Sequence, residues 1–488
     1  MTTPLLPNSF VNFKDGQLPK GPSGSGIFVF VGVGNGAATP GVVTAVNSPN
    51  DVQRLFGVGP LAQDLVTFFL SGGSFCYAIQ LTSTTPGSAG TVTIGAFTGL
   101  TVSSAAGTLL ADWDIRGRIV VGGALGIAQA IYSFDGGSTW GSPQVLQTGA
   151  NNVVGYGNFN PGIQITPTAL TYAVDPNPVG TASSQEFAVK ITPPSALTSA
   201  FTAAMDTAIQ DPSLFFNTFH ISDIPSDVAL TAAALASYAA TLAAKLDDAA
   251  VTWFKFIYLV MQAPVQTTGV LAATFMRAVR AAFAHNRVQI CCQSMVVKSL
   301  GGQYIMPVSA VVAARRSLLD PQNDLGIVSA GQLLAIVSFP PTGWSTSDVI
   351  ALDQIQNNVT VRQIFGAAGF FFTNGWMSNP SSDYSKDAFR LIADLVANDV
   401  RTAGIAFIKM DVDPSDPAAS AGPLLNVCAG PLDIRVKRKQ MSKYSLTVPS
   451  GQDVLTTSTL IIEVSIKPMA SASWIQFNVG FQSPFAGK

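Results

Sequence analysis

Val251-Thr-Trp-Phe-Lys-Phe-Ile-Tyr-Leu-Val-Met261 and Arg287-Val-Gln-Ile-Cys-Cys-Gln293 are two short apolar runs, and the segment between them has the period of a helix. Each run is rich in β-branched and aromatic residues, as strands buried on both faces are. Leu271, Phe275, Val279 and Ala282 fall on one side of the intervening helix, and an Ala-rich helix over Ser226–Asp247 precedes the first run. Strands alternating with helices at this spacing imply a largely parallel sheet covered by helices.

Upstream, Ser25-Gly-Ile-Phe-Val-Phe-Val-Gly-Val-Gly34 is a further continuous apolar run, enclosed by glycines. Ser48-Pro-Asn-Asp-Val52 opens a helical region that continues through Leu70, and Phe75–Leu81 forms another strand behind the Gly72-Gly73 turn. From Thr82 to Lys190 only eight charged residues occur, and Gly, Ser and Thr punctuate short alternating runs such as Thr91-Val-Thr-Ile94 and Arg118-Ile-Val-Val121. Such a segment is expected to be an inserted all-β domain. Downstream, a helix over about Tyr384–Ala403 places Phe389, Ile392, Val396 and Val400 on one stripe, with Asp387, Arg390, Asp394 and Arg401 mostly outside it. Two alternating strands follow, one with Ile462, Val464 and Ile466 on a face, the other with Ile475, Phe477, Val479 and Phe481. The expected class is α/β in the core and α+β overall, in several domains. These are an N-terminal arm over 1–24, a core from 25–81 and 191–380, the insert over 82–190, a C-terminal α+β domain over 381–470 and a terminal strand over 471–488.

Composition narrows the setting. Charged residues are 11% of the 488, against a usual level of about 25%, while apolar residues reach 48% and the formal charge is -2. A large monomer with so few charges is poorly soluble unless its surface is covered. A bilayer is one cover, but a spanning helix needs about 20 mostly apolar residues. Val228–Ala244 is built from Ala, Thr and Ser, and Val251–Met261 is too short and carries Lys255. The start, MTTPLLPNSF, lacks the basic and apolar regions of a signal peptide, so synthesis in the cytoplasm is expected. Burial against other subunits is the remaining cover. The four cysteines (Cys76, Cys291, Cys292 and Cys428) form no Cys-x-x-Cys pair and read as buried thiols, with a bond between subunits left open.

No motif assigns a catalytic, metal or cofactor site. Gly32-Val-Gly-Asn-Gly-Ala37 fits a loose dinucleotide fingerprint, but Thr39-Pro40-Gly41 follows where a helix should begin, so a turn is expected. Ser133-Phe-Asp-Gly-Gly-Ser-Thr-Trp140 matches the Asp-box of sialidase propellers; in a single copy it reads as a hairpin device, with Asp135 bonding turn amides. Asp411, Asp413 and Ser415 start like a calcium loop, but Pro414 intrudes and no glutamate closes it. His220 and His285 stand in no metal-binding motif, and a scattered Ser-His-Asp triad has no local signature. Arg435, Lys437, Arg438, Lys439 and Lys443 form the only basic cluster. It is open to three readings: a solvated strand or loop face, a contact for an acidic protein, or nucleic acid, though no aromatic interleaving favours the last.

The stretch Trp474–Gln482 is aromatic and β-branched, and no charge occurs between Met469 and Lys488. Left at an edge it would template aggregation, so it must be covered. It either folds back on Leu460–Lys467 or is donated to another subunit's sheet, and an N-terminal arm with no core of its own favours donation.

Several motifs, in order, resemble the tail sheath proteins of contractile-tailed phages. They are Ser48-Pro-Asn-Asp-Val-Gln-Arg-Leu-Phe-Gly-Val-Gly-Pro-Leu61, then Phe68-Phe-Leu-Ser-Gly-Gly-Ser-Phe-Cys-Tyr-Ala-Ile-Gln80, then Gly369-Phe-Phe-Phe-Thr-Asn-Gly-Trp376 and the closing strands around Lys467-Pro468. The resemblance spans most of the chain, including the place of the insert. It implies a structural protein and no enzyme: subunits in six-fold rings, stacked helically around a tail tube, that shorten and drive the tube through the host envelope. It further implies that terminal arms complete a neighbour's sheet. The residues for this exchange would be Phe10, Val11 and Phe13; Ile462, Val464 and Ile466; and Trp474, Ile475, Phe477, Val479 and Phe481. The insert would face outward and the C-terminal domain inward, with Arg435, Lys437, Arg438, Lys439 and Lys443 expected at the tube. Partners would be further copies, the tube protein, and baseplate and tail terminator proteins, without nucleic acid or membrane insertion. The place would be a virion tail, assembled in the host cytoplasm. A tail-tube or baseplate protein and an Asp-box glycosidase are the rival readings.

Overall fold

Every side chain of Phe28–Val33 is buried, because this strand lies inside a sheet covered on both faces. The computed structural model describes residues 26–470 apart from residues 92, 95–99, 105–109, 138, 156–159, 161, 170, 175–185, 267, 341–358 and 364–368. The sheet runs in the order Val288–Cys291, Tyr258–Gln262, Thr218–Ile221, Phe28–Val33, Cys76–Leu81 and Val43–Val46. The first five strands are parallel and the last pairs antiparallel with Cys76–Leu81.

The two-residue period of a strand sends alternate side chains to opposite layers. Val29, Val31 and Val33 meet Phe201 and Met205 of helix Thr198–Gln210, Leu242 of helix Ala232–Thr252 and Met276 of helix Gly269–Ala282. Phe28 and Phe30 meet Leu65 and Phe68 of helix Pro60–Leu70 and Val312 of helix Ser309–Leu318. Each such side chain contributes about 1.5–3 kcal/mol of burial. The neighbours Cys291 and Cys292 likewise fall in opposite layers, and all four cysteines are buried and free. The mixed α+β class read from the sequence is the one observed.

Three boundaries differ from the sequence reading. The helical region from Ser48 to Leu70 is two helices, Pro49–Phe56 and Pro60–Leu70, broken at Gly57, whose φ is +63°. The run from Val251 to Met261 is not all strand. Helix Ala232–Thr252 continues into it, leaving Val251 75% exposed, and the strand starts at Tyr258 after Phe254 turns the chain at φ +52°. That helix starts at Ala232, not Ser226, because Thr231 caps it and the Asp227 carboxylate is used to cap helix Thr198–Gln210. The Gly32–Ala37 segment is a strand end and a turn, as expected. A Cβ on Gly36 would sit 2.2 Å from the Leu55 carbonyl oxygen, so the turn passes too close to helix Pro49–Phe56 for any other residue.

Between residues 82 and 190 the described chain is antiparallel strands around Trp113, Ile115, Tyr132, Phe134, Phe187 and Val189. The Asp-box is a turn device with a second use. Asp135 accepts from the Thr139 amide at 2.8 Å and the Ser133 hydroxyl at 2.7 Å, and also from the Gln303 amide at 3.0 Å. Gln303 lies in the core hairpin Ser294–Ser299/Gly302–Pro307, so one carboxylate ties the insert to the core. Tyr304 of the same hairpin stacks edge-on to Trp113.

Helix Asp387–Gly404 buries two faces. Ile392 and Val396 pack on Leu432 of helix Gly422–Lys437 and on Met441, while Leu391 joins the sheet core. Of the charged residues read as lying outside the apolar stripe, Arg401 is exposed, but Asp387, Arg390 and Asp394 are buried. Arg316, 1% exposed, pairs with the fully buried Asp387 at 2.6 Å and donates to the Asn323 carbonyl at 2.9 Å. Arg287 pairs with Asp394 at 3.1 Å and donates to the Ile257 carbonyl at 3.0 Å, and Arg390 pairs with Asp394 too. Burial pushes the Asp387 carboxyl up to about 6 in spite of the guanidinium, so it is ionised at neutral pH. Asp387→Ala would leave Arg316 charged and unpaired in the interior. Its expected cost is about 3–5 kcal/mol in urea unfolding, with Asp387→Asn intermediate.

Candidate functional site

The described chain closes in a two-stranded sheet. Helix Gly422–Lys437 ends as the amides of Arg438 and Gln440 return to the carbonyls of Ile434 and Arg435, and Lys439 takes φ +57°. The turn delivers strand Met441–Thr447, which pairs antiparallel with Glu463–Pro468; Tyr444 faces Ile466 and Leu446 faces Val464. The inner face of this pair (Met441, Tyr444, Leu446, Val464 and Ile466) covers Ile392, Val396 and Leu432. The Tyr444 hydroxyl donates to Asp433 at 2.7 Å, which pushes the phenol up to about 12. Ser442, Lys443, Ser445, Thr447, Ser465 and Lys467 point to solvent.

Among the described residues each of these strands has one partner, so the sheet keeps two open edges of backbone N–H and C=O groups. The described chain begins and ends beside it. Glu463–Pro468 runs out toward residue 471, and Ile27, held by Asn217 at 3.0 Å, lines one cleft with Arg435, Arg438 and Gln440. Of the residues expected to exchange, Val464 and Ile466 sit on the inner face and Ile462 half-buried just ahead of it. Phe10, Val11, Phe13, Trp474, Ile475, Phe477, Val479 and Phe481 lie outside the described residues. The sequence left the partner of the Ile462–Lys467 strand unassigned on one side; the alternation of Tyr444 and Leu446 with Ser445 and Thr447 was the available signal.

The basic cluster divides in two. Lys437, Arg438, Lys439 and Lys443 are exposed, and Lys443 stands directly across from Lys467. Like charges opposed on a sheet repel, and an acidic partner relieves that cost. Arg435 is committed inside: it is ion-paired with Asp399 and donates to Gln440 at 2.9 Å. The cluster spans a helix end, a turn and a strand, not a single strand or loop face.

The grouping nearest to a hydrolase site does not have hydrolase chemistry. Asp64 lies 3.7 Å from His220 Nδ1, and Ser222 is two residues further along the strand. Burial holds His220 down to about 3, so it stays neutral, and neither ring nitrogen reaches a hydrogen-bond partner, Ser222 included. Asp413 caps the Ser415 amide at 2.9 Å and Asp416 caps Ala419 at 3.0 Å, turn roles in place of calcium ligation. Among the described residues, no group of three or more His, Cys, Asp or Glu could hold a metal ion, and no helix is long and apolar enough to cross a membrane.

The fold is similar to that of chains from known contractile assemblies. It is similar to the helical sheath of the anti-feeding prophage in its contracted state, at 11% identity and a TM-score of 0.52, over 99% of this chain and 100% of that one. The PVC sheath complex of an extracellular contractile injection system, also contracted, matches at 10% identity and 0.50, over 99% of each chain. A chain of the anti-feeding prophage baseplate matches at 12% and 0.51, over 99% and 100%. Contractile sheath proteins thus share the fold of this chain. The chain belongs to the DUF2586 family, whose N-terminal domain matches residues 6–376. No curated protein matches it in sequence.

The division of the basic cluster has a measurable consequence. Arg435→Ala is expected to lower stability by about 1–3 kcal/mol in urea unfolding, because it strands Asp399. Ala at Lys437, Lys439 or Lys443 should stay within about 0.5 kcal/mol.

Proposed function

We propose that this protein is the sheath subunit of a contractile phage-type tail, polymerising as stacked six-fold rings around a tube. The observation that carries the reading is the open two-stranded sheet, flanked by the first and last described residues and set on a sheath fold. Two strands alone are marginal in water, and added strands from neighbouring subunits supply backbone hydrogen bonds worth about 0.5–1.5 kcal/mol each. In this account Phe10–Phe13 from one neighbour and Trp474–Phe481 from another extend the sheet, one on each edge. Alternating side chains set the register, and Val464 and Ile466 hold the acceptor strand on its helices.

The role is mechanical. Subunits assemble in a high-energy packing and relax into a shorter, wider one, while exchanged strands act as hinges that keep the lattice joined. The sheath neighbours are non-enzymatic structural proteins, and the neutral His220 is consistent with the same role here. Further partners are the tube and the baseplate and terminator proteins at its ends, in a tail assembled in the host cytoplasm. The exposed cations Lys437, Arg438, Lys439 and Lys443 face the tube. A place at the baseplate is the second reading, supported by the likeness to a baseplate chain.

Two experiments test these statements. Full-length protein should form long hollow polymers in the electron microscope, and deletion of 471–488 should abolish them while the circular dichroism spectrum is kept. Ordered tubes from the truncated protein would refute strand donation. Neutralising Lys437, Arg438, Lys439 and Lys443 together should weaken co-assembly with the tube protein and flatten its dependence on salt. An unchanged salt response would remove the cluster from that contact.

A further inference from the structure

The connection after Phe28–Val33 passes through Val43–Val46 and Pro49–Phe56 to helix Pro60–Leu70 in one layer, while the loop after Thr218–Ile221 leads to helix Ala232–Thr252 in the other. In open α/β sheets such a divergence leaves a crevice at the carboxyl ends of the strands, and ligands bind there. Here it is a cavity of about 410 Å³. Gln63 and Asp64 reach it from helix Pro60–Leu70, Ser222 and Asp223 from the loop after Ile221, Gln262 from the next strand and Asp112 from the insert. Gly32 lets the wall close up, since a Cβ there would stand 2.8 Å from that of Ser222.

The polar atoms of this wall are acceptors short of donors. Asp64 and Ser222 are 2% and 3% exposed; the Ser222 hydroxyl lies against the Asp64 carboxyl, while Asp64 Oδ2 and Asp223 Oδ2 make no hydrogen bond. The amides nearby are spent: Gln262 Nε2 donates to the Ser222 carbonyl at 2.8 Å, and the Ile224 amide goes to Asp223 Oδ1 at 2.7 Å. Lys190 is committed to Asp112 at 2.6 Å, and His220 beside Asp64 is neutral. Burial accordingly pushes the Asp223 carboxyl up to about 7 and the Asp64 carboxyl well up. Buried acceptors in this state call for N–H or O–H donors, and carboxylates call for a cation. A hard divalent ion needs six or more oxygens, and no described group of three acidic or imidazole ligands exists. Ile224, Pro264 and Met306 add apolar surface to the same lining.

We propose that this crevice binds a small organic cation, a primary diamine or guanidinium compound, whose nitrogen donates to Asp64, Ser222 and Asp223 while its alkyl part lies along Ile224, Pro264 and Met306. Nothing in the assembly role requires such a site.

The test is calorimetric titration of the full-length protein with 1,4-diaminobutane, using 1,4-butanediol and magnesium ion as comparators. Saturable binding of the diamine is expected, with no binding of the diol or the metal. Asp223→Asn should weaken it by about tenfold or more, the scale of one lost charge-assisted contact. The titratable and charged groups facing Asp223 are Asp64, Asp112 with its Lys190, and Tyr238. Protonation of the carboxylates removes the attraction, so wild-type affinity should fall as pH drops from about 8 to about 6. Should Asp223→Asn fail to fold, Ser222→Ala serves as the second variant, with a smaller loss expected. No saturable heat at millimolar diamine, equal binding of the diol, competition by magnesium, or an unaffected folded variant would each overturn the assignment. The readout does not depend on polymerisation.

Discussion

Two buried arginines fix the geometry on which the rest of the subunit depends. Arg316 and Arg287 hold helix Asp387–Gly404 to the sheet core through Asp387 and Asp394. An ion pair in the interior gains little over a well-packed apolar contact, but it tolerates no shift, because a displaced guanidinium is left charged and dry. The opposite face of the same helix carries helix Gly422–Lys437 and the two-stranded sheet through Ile392, Val396 and Leu432. Whatever load the terminal sheet takes therefore reaches the core through one helix whose register is set by charge.

That arrangement deepens the shortage of surface charge. Charged residues are 11% of the chain, and Arg287, Arg316, Arg390, Asp387 and Asp394 are withdrawn into the junction, with Asp64 buried elsewhere. The exposed surface is poorer in charge than composition alone suggests. Exposed apolar side chains such as Phe215, Val251, Trp253 and Phe254 lie on the same molecule. Such a surface suits a chain whose neighbours cover it.

The parallel sheet was legible because its strands are continuous apolar runs between glycines and helices, a pattern that few other structures share. The β structure of residues 82–190 was legible from its lack of charge and its short alternating runs. Boundaries failed where local signals conflicted: Val251 and Trp253 look like strand residues, yet the helix formers before them carry the helix past Ala250. The junction was not legible. Asp387, Arg390 and Asp394 have the spacing of a solvated helix face, and their partners Arg316 and Arg287 are more than 70 residues away in sequence. The cluster at Arg435–Lys443 was found as charge, but its division needed Asp399, which sequence spacing does not connect to it. The crevice beside Asp64 was invisible for the same reason, since its polar groups come from four separate segments.

The direction of the parallel strands gives the subunit a polarity. Ile27, Asn217 and Arg287 precede their strands, and the C-terminal helices and the open sheet gather around that end. Leu81, Ile221 and Gln262 end theirs, and there Asp112 of the 82–190 segment meets the core. Five parallel strands thus act as a spacer, with the insert at one end and the basic, edge-bearing sheet at the other. In the proposed ring, strand pairing between subunits would lie at the edge-bearing end and the strands of 82–190 at the other. Contraction would then tilt rigid cores about the exchanged strands.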